Sequence, residues 1–242
     1  MGYIDIHSHI LPGMDDGSMS IHQTMNMLEI AAEEGISTMI ATPHNMPGKG
    51  CPSRETVYRR VEELRQAIDE EGIPIEIMVG TEYYYREEVL ELLEEGRAVT
   101  MAESDFILVE FDPMVERRYF RNALGDILSA GYRPIVAHIE RYAKVMEDIP
   151  ALEELRRMGI LIQVNAASVT GDNGRAAKRD VKSILKRRLA DFVATDAHSD
   201  GRRAPYMEKC ASLLYKKYEE DYVDALLFGN ASHYFQEDDD RR

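Results

Sequence analysis

Cysteine is scarce: Cys51 and Cys210 are the only two in 242 residues. That is too few for a disulfide framework, and with the many Glu and Lys residues it suits a reducing cytosol. Long apolar runs are also missing. There is no apolar N-terminal region and no stretch of the about 18 apolar residues that would cross a bilayer, so neither a signal peptide nor membrane insertion is expected, and the protein is read as cytoplasmic. Met1-Gly2 opens like a myristoylation site, but Ile6 stands where Ser or Thr is needed. Cations are in short supply, with 29 Lys and Arg against 44 Asp and Glu and a formal charge of −15. Nonspecific nucleic-acid binding, which needs clustered cations to displace counterions, is therefore not expected. Part of the acidic excess lies in the tail Glu237 to Asp240, and an anionic ligand would need a local positive site. No Pro/Gly/Ser-rich linker divides the chain, so one domain is expected over residues 1–242.

What is present is a repeating pattern. Seven apolar, β-branched runs recur at Tyr3 to Ile6, Thr38 to Ala41, Ile75 to Val79, Phe106 to Val109, Ile135 to Ala137, Leu161 to Val164 and Phe192 to Ala194. Charge-rich amphipathic segments of helical length separate them, an alternation that predicts an α/β fold with a parallel sheet. Gly35, Gly72, Gly131 and Gly159 each stand where a helix should stop, and Ser20 with Gln23 has capping-box spacing. Seven strands fit a barrel one short of the eight-fold form, while an open doubly wound sheet has the same pattern.

The polar residues separate the two. His7 and His9, His44, Glu82, Glu110, His138, Asn165, and Asp196 with His198 each follow the C-terminal end of a predicted strand. A barrel gathers such positions on one rim, whereas an open sheet spreads them along an edge. His7 and His9, at i and i+2 on a strand, point to one face and can share a metal ion. Together these positions predict a multinuclear metal site. His22 and His233 match no strand end and are read as structural or exposed. The Tyr83-Tyr84-Tyr85 run after Glu82 offers either an aromatic wall or barrel packing. The loop Asn45 to Pro52 is placed to gate the rim, but it lacks the spacing of a phosphate-binding loop.

Taken in order, His7-Ser8-His9, Thr42-Pro43-His44, Glu82, Glu110, His138-Ile139-Glu140-Arg141 and Asp196-Ala197-His198 resemble the polymerase-and-histidinol-phosphatase (PHP) superfamily. Asp5 to Gly13 through Asp15-Asp16-Gly17-Ser18, with Ala137 to Tyr142 and Val164-Asn165-Ala166, is similar to the CpsB/YwqE-type bacterial protein-tyrosine phosphatases, over essentially the whole chain. The resemblance implies a distorted (β/α)7 barrel and a manganese-dependent enzyme of capsular and exopolysaccharide control. It also implies three divalent ions. His7, His9, Glu82 and Asp196 would hold one, Glu82, Glu110 and His138 a second, and Asp16, His44 and His198 the third, with Asp15 the competitor of Asp16. Mixed imidazole and carboxylate ligands suit Mn, Fe or Zn. The partner implied is a phosphotyrosine protein, the Tyr-rich tail of a bacterial tyrosine kinase.

Clustered dications lower the pKa of a bridging water, so that hydroxide is available near neutral pH, and they screen an incoming phosphate. In-line attack needs further cations on the non-bridging oxygens. Arg141, three residues after His138, and Arg203, five after His198, are the candidates, with Arg202 as the substitute for Arg203. Asp196 or His198 would supply a proton to the leaving group. The thiol route to dephosphorylation is excluded, because the Arg that must follow the nucleophile is Val57 after Cys51 and Lys216 after Cys210. Histidinol phosphate as substrate, a nuclease role and a non-catalytic scaffold stabilised by metal are the alternatives.

Overall fold

The computed structural model of the chain describes residues 2–235; the acidic stretch Glu237 to Asp240 lies outside the described residues. Nine strands occur there: β1 (Tyr3–Ser8), β2 (Ile36–Ala41), β3 (His44–Asn45), β4 (Glu76–Val79), β5 (Glu82–Tyr84), β6 (Phe106–Glu110), β7 (Arg133–Val136), β8 (Leu161–Asn165) and β9 (Phe192–Ala194). All their ladders are parallel, in the orders β1-β2-β4 and β3-β5-β6-β7-β8-β9. β2 and β3 are two halves of one stave, broken at Thr42-Pro43, where proline offers no N–H to a ladder. β4 and β5 are likewise halves of one stave, broken at Gly80-Thr81. Seven staves result, and the last closes onto the first: Asp196 N–H donates to His7 O at 2.9 Å and His9 N–H to Ala197 O at 2.8 Å. The architecture is a distorted (β/α)7 barrel.

Seven of the nine strands coincide with the apolar runs. The two that do not, β3 and β5, are the short outer halves of the broken staves and carry His44 and Glu82. The predicted helix stops hold, with Gly72 at φ 69° ending the helix Arg54–Glu71 and the other three glycines also at positive φ. At the start of the helix Ile21–Glu33, the Ser20 hydroxyl accepts from Gln23 N–H, while Gln23 Oε1 accepts from Met19 N–H, one residue earlier than the capping box requires.

Alternate strand residues fill the barrel. Ile4, Ile6, Ile40, Leu108, Ile135 and Phe192 belong to the interior cluster, which Ala231 and Phe235 of the helix Asn230–Phe235 close from below. Their neighbours in sequence, such as Met39, Val109, Val136 and Val193, face the surrounding helices. Each such buried aliphatic side chain contributes roughly 1.5–3 kcal/mol.

Three departures from regular backbone aim the rim residues. Strict alternation after Ile4 and Ile6 would turn His7 outward. Between Asp5 and Ser8, however, the register slips by one: these residues pair with Met39 and Ala41, so three steps on β1 match two on β2. The bulge rephases the strand and brings His7 and His9 inside. His138 (φ 32°) and Asp196 (φ 54°) adopt left-handed conformations that a side chain rarely takes. Both follow an interior-facing Ala by one or two residues and turn back over the barrel mouth, and such strain concentrates at functional sites.

Candidate metal centre

All nine sequence-predicted metal ligands meet at the barrel mouth. Eight are less than a tenth exposed, and the exception is Asp16, whose side chain is 41% exposed. Three groups of ligating atoms can be distinguished: His7, His9 and Glu82; His44, Glu82 and Glu110; and His9, Asp16, His44 and His198. In the first, His7 Nε2, His9 Nε2 and Glu82 Oε2 are mutually 3.2 Å apart, with Asp196 Oδ1 3.6 Å from each ring nitrogen. In the second, His138 Nε2 joins at 2.9 Å from Glu82 Oε1 and 3.6 Å from Glu110 Oε2. In the third, Asp16 Oδ1 lies 3.4 Å from His44 Nε2 and 3.7 Å from His198 Nε2. His44 stands at a junction, its other nitrogen 3.0 Å from Glu82 Oε2 and 3.1 Å from Glu110 Oε1.

The donor set fits divalent ions on a specific observation. Glu82 Oε2, Glu110 Oε1 and His44 Nδ1 are buried with no hydrogen-bond partner. Orphaned buried carboxylate oxygens are costly, and cations held between them and the imidazoles would satisfy them.

His7 and His9 are oriented from behind by side chains. Gln163 Oε1 accepts from His138 N–H at 2.7 Å and lies 3.2 Å from His7 Nδ1, which leaves His7 Nε2 for the centre. Asp15 accepts from His9 Nδ1 at 2.7 Å and from the backbone N–H groups of His44 and Gly17. Its oxygens are thereby spent, and Asp16 is the one of the pair that faces His44 Nε2 and His198 Nε2. Asp5 is buried and accepts from the Thr195 N–H and hydroxyl, pinning β1 to β9 beneath the site; burial raises its carboxyl to about 6. Gln163 and Asp5 were not singled out as site residues from sequence, and Asp15 entered only as the competitor of Asp16 for a ligand position. An interior amide has no distinguishing neighbours, while Asp5 and Asp15 sit beside stronger signals.

Charge in the metal-free cluster is shared by proton. Burial opposes a charged ring, yet the Asp15 and Glu82 carboxylates raise His9 to about 9, and Glu110 with Glu82 raises His44 to about 10. Burial also opposes ionisation of Glu82 and Asp196, but His7 and the other cations hold both well below the carboxylate range. Burial and the charge on His9 push His198 down to about 3, and its Nδ1 is 2.9 Å from Asp196 O.

Arg141 and Arg203 converge on Asp196 Oδ2, Arg203 at 3.0 Å, and Asn165 Nδ2 donates to the same oxygen at 2.9 Å. Arg202 makes no such contact, so the geometry separates the two candidate arginines. Tyr83 and Tyr85 are core residues, Tyr85 stacked on Phe111 with centroids 5.4 Å apart, while Tyr84 is half-buried. His22 and His233 are exposed. In the loop Asn45 to Pro52, Met46 pairs with Gly50 and Lys49 Nζ reaches Asp16 Oδ2 at 2.8 Å.

Similarity to known proteins runs over nearly the whole chain. Residues 3–236 match the family described as capsular polysaccharide synthesis, CpsB/CapC. The tyrosine-protein phosphatase CpsB of Streptococcus pneumoniae is 31% identical over 220 residues, 89% of this chain and 90% of that protein. The tyrosine-protein phosphatase YwqE of Bacillus subtilis is 31% identical over 215 residues, 89% of this chain and 85% of that one. A crystal structure from work on YwqE and CpsB, described as metal-dependent tyrosine phosphatases, superposes with a TM-score of 0.89 at 30% identity, covering 96% of this chain and 94% of the other. The histidinol phosphate phosphatase of Lactococcus lactis, at 14% identity and a TM-score of 0.58 over 89% of this chain and 93% of that one, shares the fold alone. By the extent of these matches, the chain belongs to the CpsB/CapC family.

Proposed function

We propose that the protein is a metal-dependent protein-tyrosine phosphatase that hydrolyses phosphotyrosine in the cytoplasm, on the tail of a bacterial tyrosine kinase. The cofactors proposed are three divalent ions, Mn foremost, held by His7, His9, Glu82 and Asp196; by Glu82, Glu110 and His138; and by Asp16, His44 and His198. The observation that carries this reading is the convergence of two guanidinium groups on the flank of a cluster whose buried carboxylate oxygens lack partners. When bound, such ions supply Lewis acidity and a water of lowered pKa.

The chain's own residues do the rest. Arg141 and Arg203 each commit Nη2 to Asp196, leaving Nη1 and Nε of both forks for phosphate oxygens. Asp196 and Asn165 hold the pair together, which positions the forks before substrate arrives. A phenolate leaving group, with a pKa near 10, needs less help from an acid than an alkoxide would. Neither thiol is built for attack: Cys210 is buried, with its pKa pushed up by that burial, and Cys51 has no Arg in phosphate-binding spacing.

The test is hydrolysis of a phosphotyrosine peptide, histidinol phosphate and a phosphoserine peptide by metal-stripped protein, with Mn returned. Mn-dependent turnover with phosphotyrosine preferred is expected, and the His138→Ala variant should abolish it while the fold persists. Preference for histidinol phosphate would overturn the substrate, and turnover without metal would overturn the centre.

A further inference from the structure

A cleft of about 820 Å3 opens off the metal centre. Arg141, Asn165, Asp196 and Arg203 form its inner end. The outer walls are Thr170, at the end of the helix Ala166–Thr170, with Asp172 and Asn173 from the turn after it, and Arg202, Tyr206 and Lys209. A phosphotyrosine with its phosphate on Arg141 and Arg203 therefore lays the residues beside it along this cleft. Tyr206, half exposed, offers them an aromatic surface.

The charges on the outer walls are not equivalent. Glu34 Oε2 is engaged by the backbone N–H groups of Met207 and Glu208, at 2.9 and 2.7 Å. Asp172 accepts from the Thr170 hydroxyl and faces Lys209 Nζ at 3.6 Å, so these two offset each other. Arg202 is exposed and makes no hydrogen bond, ion pair or ring contact among the described residues. An unspent guanidinium on the substrate side of a chain with a net charge of −15 attracts an anion where the surroundings repel one.

We infer that Arg202 is a specificity-determining residue that reads a carboxylate in the peptide flanking the phosphotyrosine, so that acidic-flanked segments are preferred. This rests on the phosphatase reading and deepens it. Arg202 is separate from the phosphate grip, because Arg203 alone of the two meets Asp196.

The experiment compares Mn-loaded wild type, Arg202→Ala and Arg202→Glu on phenyl phosphate and on phosphotyrosine peptides with acidic, neutral or basic flanks. The readout is kcat/KM for each peptide relative to phenyl phosphate, at low and high salt. Wild type should favour the acidic peptide over the neutral one by about threefold, the size of an exposed ion pair. Arg202→Ala should remove that preference through KM, Arg202→Glu should transfer it to the basic peptide, and salt should erase both. Equal ratios for all three peptides with wild type, or a preference that survives Arg202→Ala, would overturn the inference while phenyl phosphate turnover leaves the phosphatase reading standing. Failure to hydrolyse phenyl phosphate or any peptide would overturn that reading and the inference with it.

Discussion

His7 and His9 each turn one nitrogen inward, and the groups that enforce this are ordinary side chains one layer back. Gln163 is the most economical of them, since a single carbonyl oxygen serves His7 Nδ1 and the backbone of His138, residues from opposite sides of the barrel. Its amide nitrogen donates at 2.8 Å to Asn165, which in turn donates to Asp196. The chain Gln163-Asn165-Asp196 thus ties the His7 imidazole and the His138 backbone to the arginine pair. Replacing Gln163 by Leu keeps much of the volume but strands His7 Nδ1 and the His138 N–H in a dry interior. We expect Gln163→Leu to weaken metal binding by about 10–100-fold, as loss of an orienting partner typically does. Titration of metal-stripped protein with Mn, followed by heat, would check this. Unchanged affinity would mean that packing alone orients the rings.

At the scale of elements, the site is made by breaking strands. Gly80 lies at the interruption between β4 and β5, and a Cβ there would stand 2.8 Å from Ile40 Cγ2, 3.0 Å from Met101 Sδ and 3.1 Å from Thr42 Cγ2. The two broken staves approach too closely at this point for a side chain, and the approach sets where β5 presents Glu82. Gly80→Ala should therefore destabilise the protein by about 1–3 kcal/mol through overpacking, seen as a shifted denaturant midpoint with an unchanged slope. A variant as stable as wild type would show that the break has slack. The staves were legible because burial on both faces writes each as an apolar run. β3 and β5 were not, because strands of two and three residues are too short to show a period and His44 and Glu82 read as loop residues. Eight of the nine candidate ligands were legible because strand ends in a barrel share one rim; Asp16, which follows no strand end, came only from the family resemblance. What aims them was not: a one-residue slip on β1 and two left-handed residues are set by pairing across the barrel, which no local pattern records.

For the molecule as a whole, the metal-free centre is stabilised by bound protons, and this fixes how stability must vary with pH. His9 and His44, ordinarily near 6.5, titrate at about 9 and about 10 in the folded chain. Above 6.5 the folded protein binds protons that the unfolded chain has released, so the contribution of these rings is complete below 6.5 and is lost as pH rises through 9 to 10. Glu82 and Asp196, depressed on folding, contribute above their unfolded values and lose that contribution only in acid. Between pH 7 and pH 10 the metal-free cluster therefore moves from paired charges to buried carboxylates facing neutral imidazoles. Divalent ions replace those protons, so their binding must release protons and must tighten as pH rises. Mn at about a hundred times its Kd at pH 7 should raise Tm by about 5–10 °C at pH 7, and the same concentration should raise it by more at pH 9, where binding is tighter. Thermal melts with Mn or with chelator at the two pH values, beside calorimetric titrations in buffers of different ionisation enthalpy, would read both effects. A Tm gain that shrinks with pH, or binding without proton release, would mean that the ions do not occupy the sites these protons hold.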